Sequence, residues 1–225
     1  MQQILNVITP SATYDLVTLD EMKMKLGIPT SNTQWDALIA ELITNLSDTI
    51  ARLCIRVFAY EAVHETFYQL EDDCSRRLYL SRWPVVQGDI TGFTQDASDI
   101  TSWFASGQCI LESATGTLYL PARYVDAVMG PTGGAPWYGQ IDVYYSGGYA
   151  LPDGAPGAVK FAVEGLLREG YATWIRNPSL YGLRQVSHKE SRVGYYGPNM
   201  FPVLGQPETW NAVKFLLQRF IRQWV

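Results

Sequence analysis

Between residues 35 and 53, large apolar side chains recur at steps of three and four: Trp35, Leu38, Ile39, Leu42, Ile43, Leu46, Ile50 and Leu53. An α-helix brings these positions onto one face, so the segment is an amphipathic helix with a continuous apolar stripe. Each large side chain fully buried stabilises by roughly 1.5–3 kcal/mol, and the stripe contributes on the order of 10 kcal/mol before entropy is subtracted. It must therefore lie against something apolar, either the rest of the chain or a neighbouring subunit. Ser31-Asn32-Thr33 supplies N-cap candidates, and Asp36 and Glu41 lie toward the positive end of the helix dipole.

A shorter helix precedes it. Thr18-Leu19-Asp20-Glu21 reads as a capping box, Leu19, Met22 and Leu26 share a face, and Gly27 before Ile28-Pro29 stops the helix. Residues 1–17 are apolar without a period and are interrupted by Pro10, which predicts an extended arm or a short strand.

From about residue 58 the period changes to two. Val63, Glu65 and Phe67 fall on one side of a strand over residues 60–70, and His64, Thr66 and Tyr68 on the other. Arg77-Leu78-Tyr79-Leu80 predicts a second strand, ended by Trp83-Pro84. Further strands are expected near 90–94, 100–105, 108–112 and 117–120, punctuated by Gly88, Gly92, Gly107 and Gly116. Residues 129–136 are a Gly- and Pro-rich loop, and Gln140–Tyr145 is a last strand running into Gly147-Gly148.

Helical spacing then returns. Pro156 opens a helix whose stripe is Val159, Val163, Leu166, Leu167, Gly170 and Trp174, and Asn177-Pro178 ends it. Residues 178–206 form a long connection, a type of segment that is often functional. Pro207-Glu208 starts a final helix bearing Trp210, Val213, Leu217, Phe220 and Ile221, with Lys214, Arg219 and Arg222 toward its C-terminal end. The expected fold class is α+β. A helical bundle of about four helices is formed by residues 1–57 and 151–225, and a small antiparallel β domain, residues 58–150, is inserted between the second and third helices.

Composition narrows the function. The net charge of −5 argues against a free-standing nucleic-acid binder, which needs a basic footprint to displace counterions from phosphate. The three cysteines, Cys54, Cys74 and Cys109, are far apart and lack metal-ligand spacing, so they read as reduced thiols. The N-terminus has no secretory signal pattern, and no apolar run approaches a bilayer span; the expectation is a soluble, non-secreted chain with no membrane partner.

Motifs for phosphate cradling, dinucleotide binding, a nucleophile elbow or a zinc protease are absent from the sequence. His64 reads as a structural or solvent-facing strand residue, and His188 falls in the long connection. Glu71-Asp72-Asp73, Asp96 and Asp99 read as solvated turns, though paired carboxylates leave a hydrolase as a third reading. Trp103, Trp137 and Tyr138 carry the alternative of a ligand- or glycan-binding module on a helical scaffold. The expectation is a non-enzyme with no cofactor, no metal and no catalytic residue.

Several local patterns, in order along the chain, resemble the head–tail connector (adaptor) family of tailed bacteriophages. Val17-Thr18-Leu19-Asp20-Glu21-Met22-Lys23, then Leu26 and Trp35-Asp36-Ala37-Leu38-Ile39, are similar to that family's first two helices. At Leu53-Cys54-Ile55-Arg56-Val57-Phe58, Arg56 and Phe58 match an aromatic-Gly-Arg turn whose glycine is absent here. Leu78-Tyr79-Leu80 with Trp83-Pro84-Val85, then Tyr145-Ser146-Gly147-Gly148-Tyr149 with Pro152, resemble the family's strand before a Pro-Val turn and its approach to the third helix. Val186-Ser187-His188-Lys189-Glu190 with Gly194-Tyr195-Tyr196 is similar to a polar stretch beyond that helix.

The resemblance implies a ring of twelve copies in the virion neck, docked on the portal protein at the capsid vertex and assembled in the host cytoplasm. A stopper, tail-terminator or other tail protein would sit below, and DNA would pass through the lumen without specific binding. The charge of −5 per chain would then accumulate to roughly −60 around the ring, a field that favours sliding over sticking. The long connection and last helix combine aromatic and Arg anchors, so Arg184, Tyr195, Tyr196, Phe201 and Trp210 are the candidate portal or subunit contacts.

Overall fold

The computed structural model describes residues 2–68, 77–120, 140–171, 184–188, 191–195 and 207–221. The chain divides into two compact units, one made of Met1–Tyr14 and Arg56–Leu151, the other of Asp15–Ile55 and Pro152–Val225. Helices and antiparallel sheets are both present, so the fold is α+β.

The first unit holds β1 (Gln2–Thr9), β2 (Glu61–Tyr68), β4 (Ile90–Gln95), β5 (Ser98–Asp99) and β8 (Gln140–Gly147) in one antiparallel sheet of order β1-β2-β8-β4-β5. A second antiparallel sheet, of order β3-β7-β6, is formed by β3 (Arg77–Tyr79), β6 (Ile110–Glu112) and β7 (Thr117–Tyr119). Alternation decides what is inside. Val63 and Phe67 of β2, Phe93 of β4, and Ile141, Val143 and Tyr145 of β8 form one core cluster with Leu78, Leu80, Trp83, Val85 and Leu118.

The end of β8 shows why two glycines follow each other. A Cβ on Gly147 would lie 2.5 Å from the Arg82 carbonyl oxygen and 2.9 Å from Val85. Gly148 has φ 111°, a backbone that an L side chain rarely adopts, and a Cβ there would collide with the Ala59 carbonyl. The Gly-Gly pair lets the Arg82–Val85 turn and the Phe58–Ala59 segment close onto the strand end, where Tyr149 N–H donates to the Phe58 carbonyl (2.8 Å).

Two expectations change here. Residues 1–14 were grouped with the helices, yet β1 pairs antiparallel with β2 in register Leu5↔Glu65 and belongs to the sheet unit. Residues 100–105 were expected to be a strand, but Ser102–Ala105 is a single turn of helix. The Asp99 carboxylate accepts a hydrogen bond from Thr101 N–H (2.9 Å), a local turn that competes with strand pairing. Trp103 then packs edge-on against Phe93, with centroids 6.4 Å apart at 84°.

The second unit contains α1 (Leu19–Leu26), α2 (Asp36–Cys54), α3 (Gly157–Tyr171) and α4 (Pro207–Leu217), the last running into a 3-10 turn at Gln218–Phe220. The capping box of α1 is reciprocal: Glu21 N–H donates to Thr18 Oγ1 and Thr18 N–H to Glu21 Oε2, both at 3.1 Å. Gly27 closes α1 in the left-handed conformation. Ile39, Leu42, Ile43, Leu46 and Ile50 of α2 are buried, with Ser47 and Cys54 completing the stripe. Ser47 Oγ accepts from Leu16 N–H (3.0 Å), which satisfies a buried backbone donor.

The N-cap of α2 is Trp35, with no side-chain cap, rather than one of Ser31, Asn32 and Thr33. Asn32 Oδ1 accepts from Gln34 N–H (3.2 Å) in the turn before the helix and so does not reach its first turn. Asp36 instead faces the buried Lys23, whose Nζ lies 2.7 Å from Asp36 Oδ1 and 2.9 Å from the Thr30 carbonyl. Ion pairs Lys160–Glu21 (2.8 Å) and Lys25–Glu164 (3.3 Å) tie α1 to α3.

The connection expected over residues 178–206 is not without structure. It contains an antiparallel pair, β9 (Arg184–His188) and β10 (Ser191–Tyr195). Each strand has a single β-branched apolar residue, Val186 and Val193, and these stand opposite each other, so no alternating apolar pattern betrays the pair in sequence. Trp174, Asn177-Pro178, the loop at residues 129–136 and the acidic run Glu71-Asp72-Asp73 lie outside the described residues.

Candidate functional site

Charge lies on the inner face of the large sheet. Glu61 and Glu65 alternate with Val63 and Phe67 on β2 and are almost fully buried. Arg82 Nε donates to Glu61 Oε2 (2.6 Å), and the Tyr14 hydroxyl donates to Glu61 Oε1 (2.6 Å). The Tyr145 hydroxyl and Ser81 N–H donate to Glu65 Oε1 (both 2.9 Å), and Gln3 Nε2 donates to Glu65 Oε2 (2.9 Å). The Tyr145 hydroxyl also accepts from Arg82 N–H (3.0 Å), which joins the two halves. Burial, then the charge of Glu65, pushes the Tyr145 phenol far up, so it stays a donor. The hydrogen bond to Glu61 raises the Tyr14 phenol.

A second guanidinium supports the same unit. Arg56 lies over the Trp83 ring at 3.2 Å from its centroid and over Phe58 at 4.6 Å, and donates to the Trp83 carbonyl. Each carboxylate oxygen of Glu61 and Glu65 has a donor, so this network clamps the sheet to the segments that cover it.

The outer face of the sheet carries His64, Thr66, Gln140, Asp142 and Tyr144. His64 Nε2 lies 2.8 Å from Asp142 Oδ1, Thr66 Oγ1 donates to the same oxygen (2.6 Å), and Gln140 Nε2 donates to Oδ2 (2.7 Å). The His64 ring stacks on its cross-strand partner Tyr144 at 4.1 Å and 3°. Burial raises the Asp142 carboxyl, but the bonds from Thr66, His64 and Gln140 outweigh it and hold the group below its ordinary range.

This is not a hydrolytic triad. In a triad the histidine uses one nitrogen for the hydroxyl and the other for the carboxylate. Here the same nitrogen, Nε2, faces both Asp142 Oδ1 and, at 3.3 Å, the Thr66 hydroxyl, so hydroxyl and carboxylate do not take opposite nitrogens of the ring. Among the described residues, no three His, Cys, Asp or Glu side chains stand grouped to hold a metal. Burial pushes the Cys109 thiol up to about 12, which leaves it unreactive. No described helix is long and apolar enough to cross a membrane.

β1 is an edge strand, paired on one side only among the described residues. Its eight residues carry no charge, and Ile4 (50%), Leu5 (38%), Val7 (37%) and Ile8 (55%) are exposed. The register slips between Val7 and Thr9, so Ile8 sits in a bulge. Gln3 and Tyr14, through Glu65 and Glu61, pin the arm to the sheet at either end.

Of the anticipated contact residues, Arg184 and Tyr195 are brought together as cross-strand partners at the open end of the β9–β10 pair. Trp210 lies in α4, and Tyr196 and Phe201 lie outside the described residues. Trp103, a candidate for a glycan platform, packs half-buried against the core, while Trp137 and Tyr138 lie outside the described residues. The open edge of β1 does not stand out in the sequence. Its signal was present as an uncharged, Pro-free run over residues 2–9, but without a period it does not declare which strand it pairs with.

No family model matches the sequence, and no curated protein matches it. In fold, the chain is similar to a chain in the neck of an empty gene transfer agent (GTA) particle computed with C6 symmetry. The two share 14% identity at a TM-score of 0.52, covering 99% of this chain and 97% of that one. It is also similar to a chain in the virion of the native GTA particle, at 15% identity and a TM-score of 0.50, with the same coverage. The chain thus shares its fold with a chain of a GTA neck.

Proposed function

We propose that this chain is a head–tail connector (adaptor) subunit of a tailed-phage neck, a structural and non-catalytic component of the virion. The observation that carries the reading is the fold shared along 99% of the chain with a chain of a GTA neck. Twelve copies form a ring on the portal, with a stopper, tail-terminator or other tail protein beneath and DNA passing through the lumen. The C6 symmetry of that neck supports a copy number divisible by six. We read the Arg56–Leu151 part of the β unit as an insertion between α2 and α3, completed by β1 from the N-terminal arm, and the subunit as assembling in the host cytoplasm before it enters the virion.

Arg184, Tyr195, Tyr196, Phe201 and Trp210 are its proposed portal or subunit contacts. Pairing of Arg184 with Tyr195 supports a shared contact patch for those two. The alternative of a glycan-binding module is disfavoured at Trp103, which is partly buried against the core cluster. The test is deletion of the gene in the parent phage. Filled heads that lack tails, with tailed particles restored by the chain in trans, are the expected result. Tailed, infectious particles without the chain would refute the reading.

A further inference from the structure

Two unfinished β edges lie in different units of this chain. Among the described residues β1 offers an unpaired edge of eight residues, about 26 Å at the usual rise per residue. An edge of that length with no charge, no proline and four exposed apolar residues is a template for another strand. β9 and β10 form a sheet of only two strands, with no third strand among the described residues. A two-stranded hairpin alone is marginally stable in water and gains from joining a larger sheet. Each of its strands has five residues, about 17 Å, which fits within the β1 edge.

Charge points the same way. Met1–Tyr14 with Arg56–Leu151 holds five Lys and Arg against eleven Asp and Glu. The hairpin segment, residues 184–195, holds Arg184, Lys189 and Arg192 against Glu190. A basic ribbon is drawn to an acidic unit, and it meets there an edge that has no charge to oppose it.

We propose that the β9–β10 hairpin of one copy adds to the β1 edge of a second copy, extending that copy's five-stranded sheet. The inference rests on the ring reading given above and names the contact that builds the ring. The two surfaces differ, so the contact is heterologous, the kind that repeats head to tail and closes into a ring when the rotation allows. Main-chain hydrogen bonds supply the affinity, and Ile4, Leu5, Val7 and Ile8 are covered as the edge is capped.

The test uses the full-length chain with Ile4 replaced by the photo-reactive p-benzoylphenylalanine, mixed as isotopically heavy and light populations. Mass spectrometry after irradiation locates each crosslink, and native mass measurement records assembly with and without neck particles. Heavy-to-light crosslinks from position 4 into residues 184–195 are expected. The exposed double substitution Ile4→Lys with Ile8→Lys should weaken assembly by about tenfold or more while leaving thermal unfolding of the chain unchanged. Replacing residues 184–195 with a Gly-Ser linker of equal length should do the same. Rings whose crosslinks fall elsewhere, or only within one chain, would overturn this inference and leave the adaptor reading standing. A chain that stays monomeric both alone and with neck particles would overturn both.

Discussion

The β unit carries charge on the inside of its sheet, where Glu61, Glu65 and Arg82 are nearly inaccessible, whereas the helical unit ties α1 to α3 through ion pairs that water reaches. In the first, a carboxylate that loses its partner stays buried and uncompensated. In the second, an exposed side chain that loses its partner is simply solvated. The same chemical contact is therefore worth far more on the inner face of the sheet, or at the buried Lys23 of the helical unit, than in the α1–α3 pairs, and burial decides which.

The largest effect that would break this contrast lies at Arg82. Removing it in Arg82→Ala strands Glu61 inside the sheet and should destabilise by about 3–5 kcal/mol. Arg52→Ala, which breaks an exposed pair with Asp48 one helical turn away, should change stability by only about 0.3–0.5 kcal/mol. Urea unfolding followed by tryptophan fluorescence measures both. Equal effects would show that the inner network is solvated and the contrast false.

A smaller effect, of opposite sign, sits at the C-terminus of α2. Ile55 caps that helix at φ 53° and ψ 42°, the left-handed conformation that a glycine would adopt freely. The β-branched side chain is half exposed and packs little, so its strain of roughly 1–2 kcal/mol is only partly offset. Ile55→Gly should raise stability by about 0.5–1 kcal/mol after the added chain entropy of glycine is subtracted. A loss of stability in the same urea titration would show that Ile55 serves by packing.

Acid sharpens the comparison more gently. The Lys160 hydrogen bond holds Glu21 below its ordinary 4.5, against the opposing effect of burial, and Asp142 lies below its ordinary 3.8. A carboxylate lowered in the folded state contributes stability that is complete above its unfolded value and lost as pH falls through the folded one. Stability owed to these groups should hold to about pH 4.5 and decline below it, first through Glu21 and then through Asp142. Lys160→Met should flatten the upper part of that decline while leaving the lower part intact, read as urea midpoints between about pH 6 and about pH 3.

The contrast also explains what could be read in advance. Thr18 and Glu21, the α2 stripe and the alternation of Val63, Glu65 and Phe67 are local patterns, and each appears where the spacing puts it. Glu65 was placed on the right face without its reason, because Ser81 and Tyr145, which satisfy it, lie 16 and 80 residues away. The pairing of β1 with β2 joins residues some sixty positions apart, as Gln3 and Glu65 show with a separation of 62. The β9–β10 pair failed to show because polar residues dominate both strands. Of the proposed contacts, the sequence brought Arg184 and Tyr195 to notice as anchors, and only the strand register makes them neighbours.

We propose that this chain is a ring-forming subunit of the neck. Cryo-microscopy of the assembled particle tests it most directly. A closed ring of copies of this chain, twelve in number, seated on the portal with the tail components beneath, is the expected result. A neck that lacks the chain, or holds it as a single copy away from the portal, would contradict it.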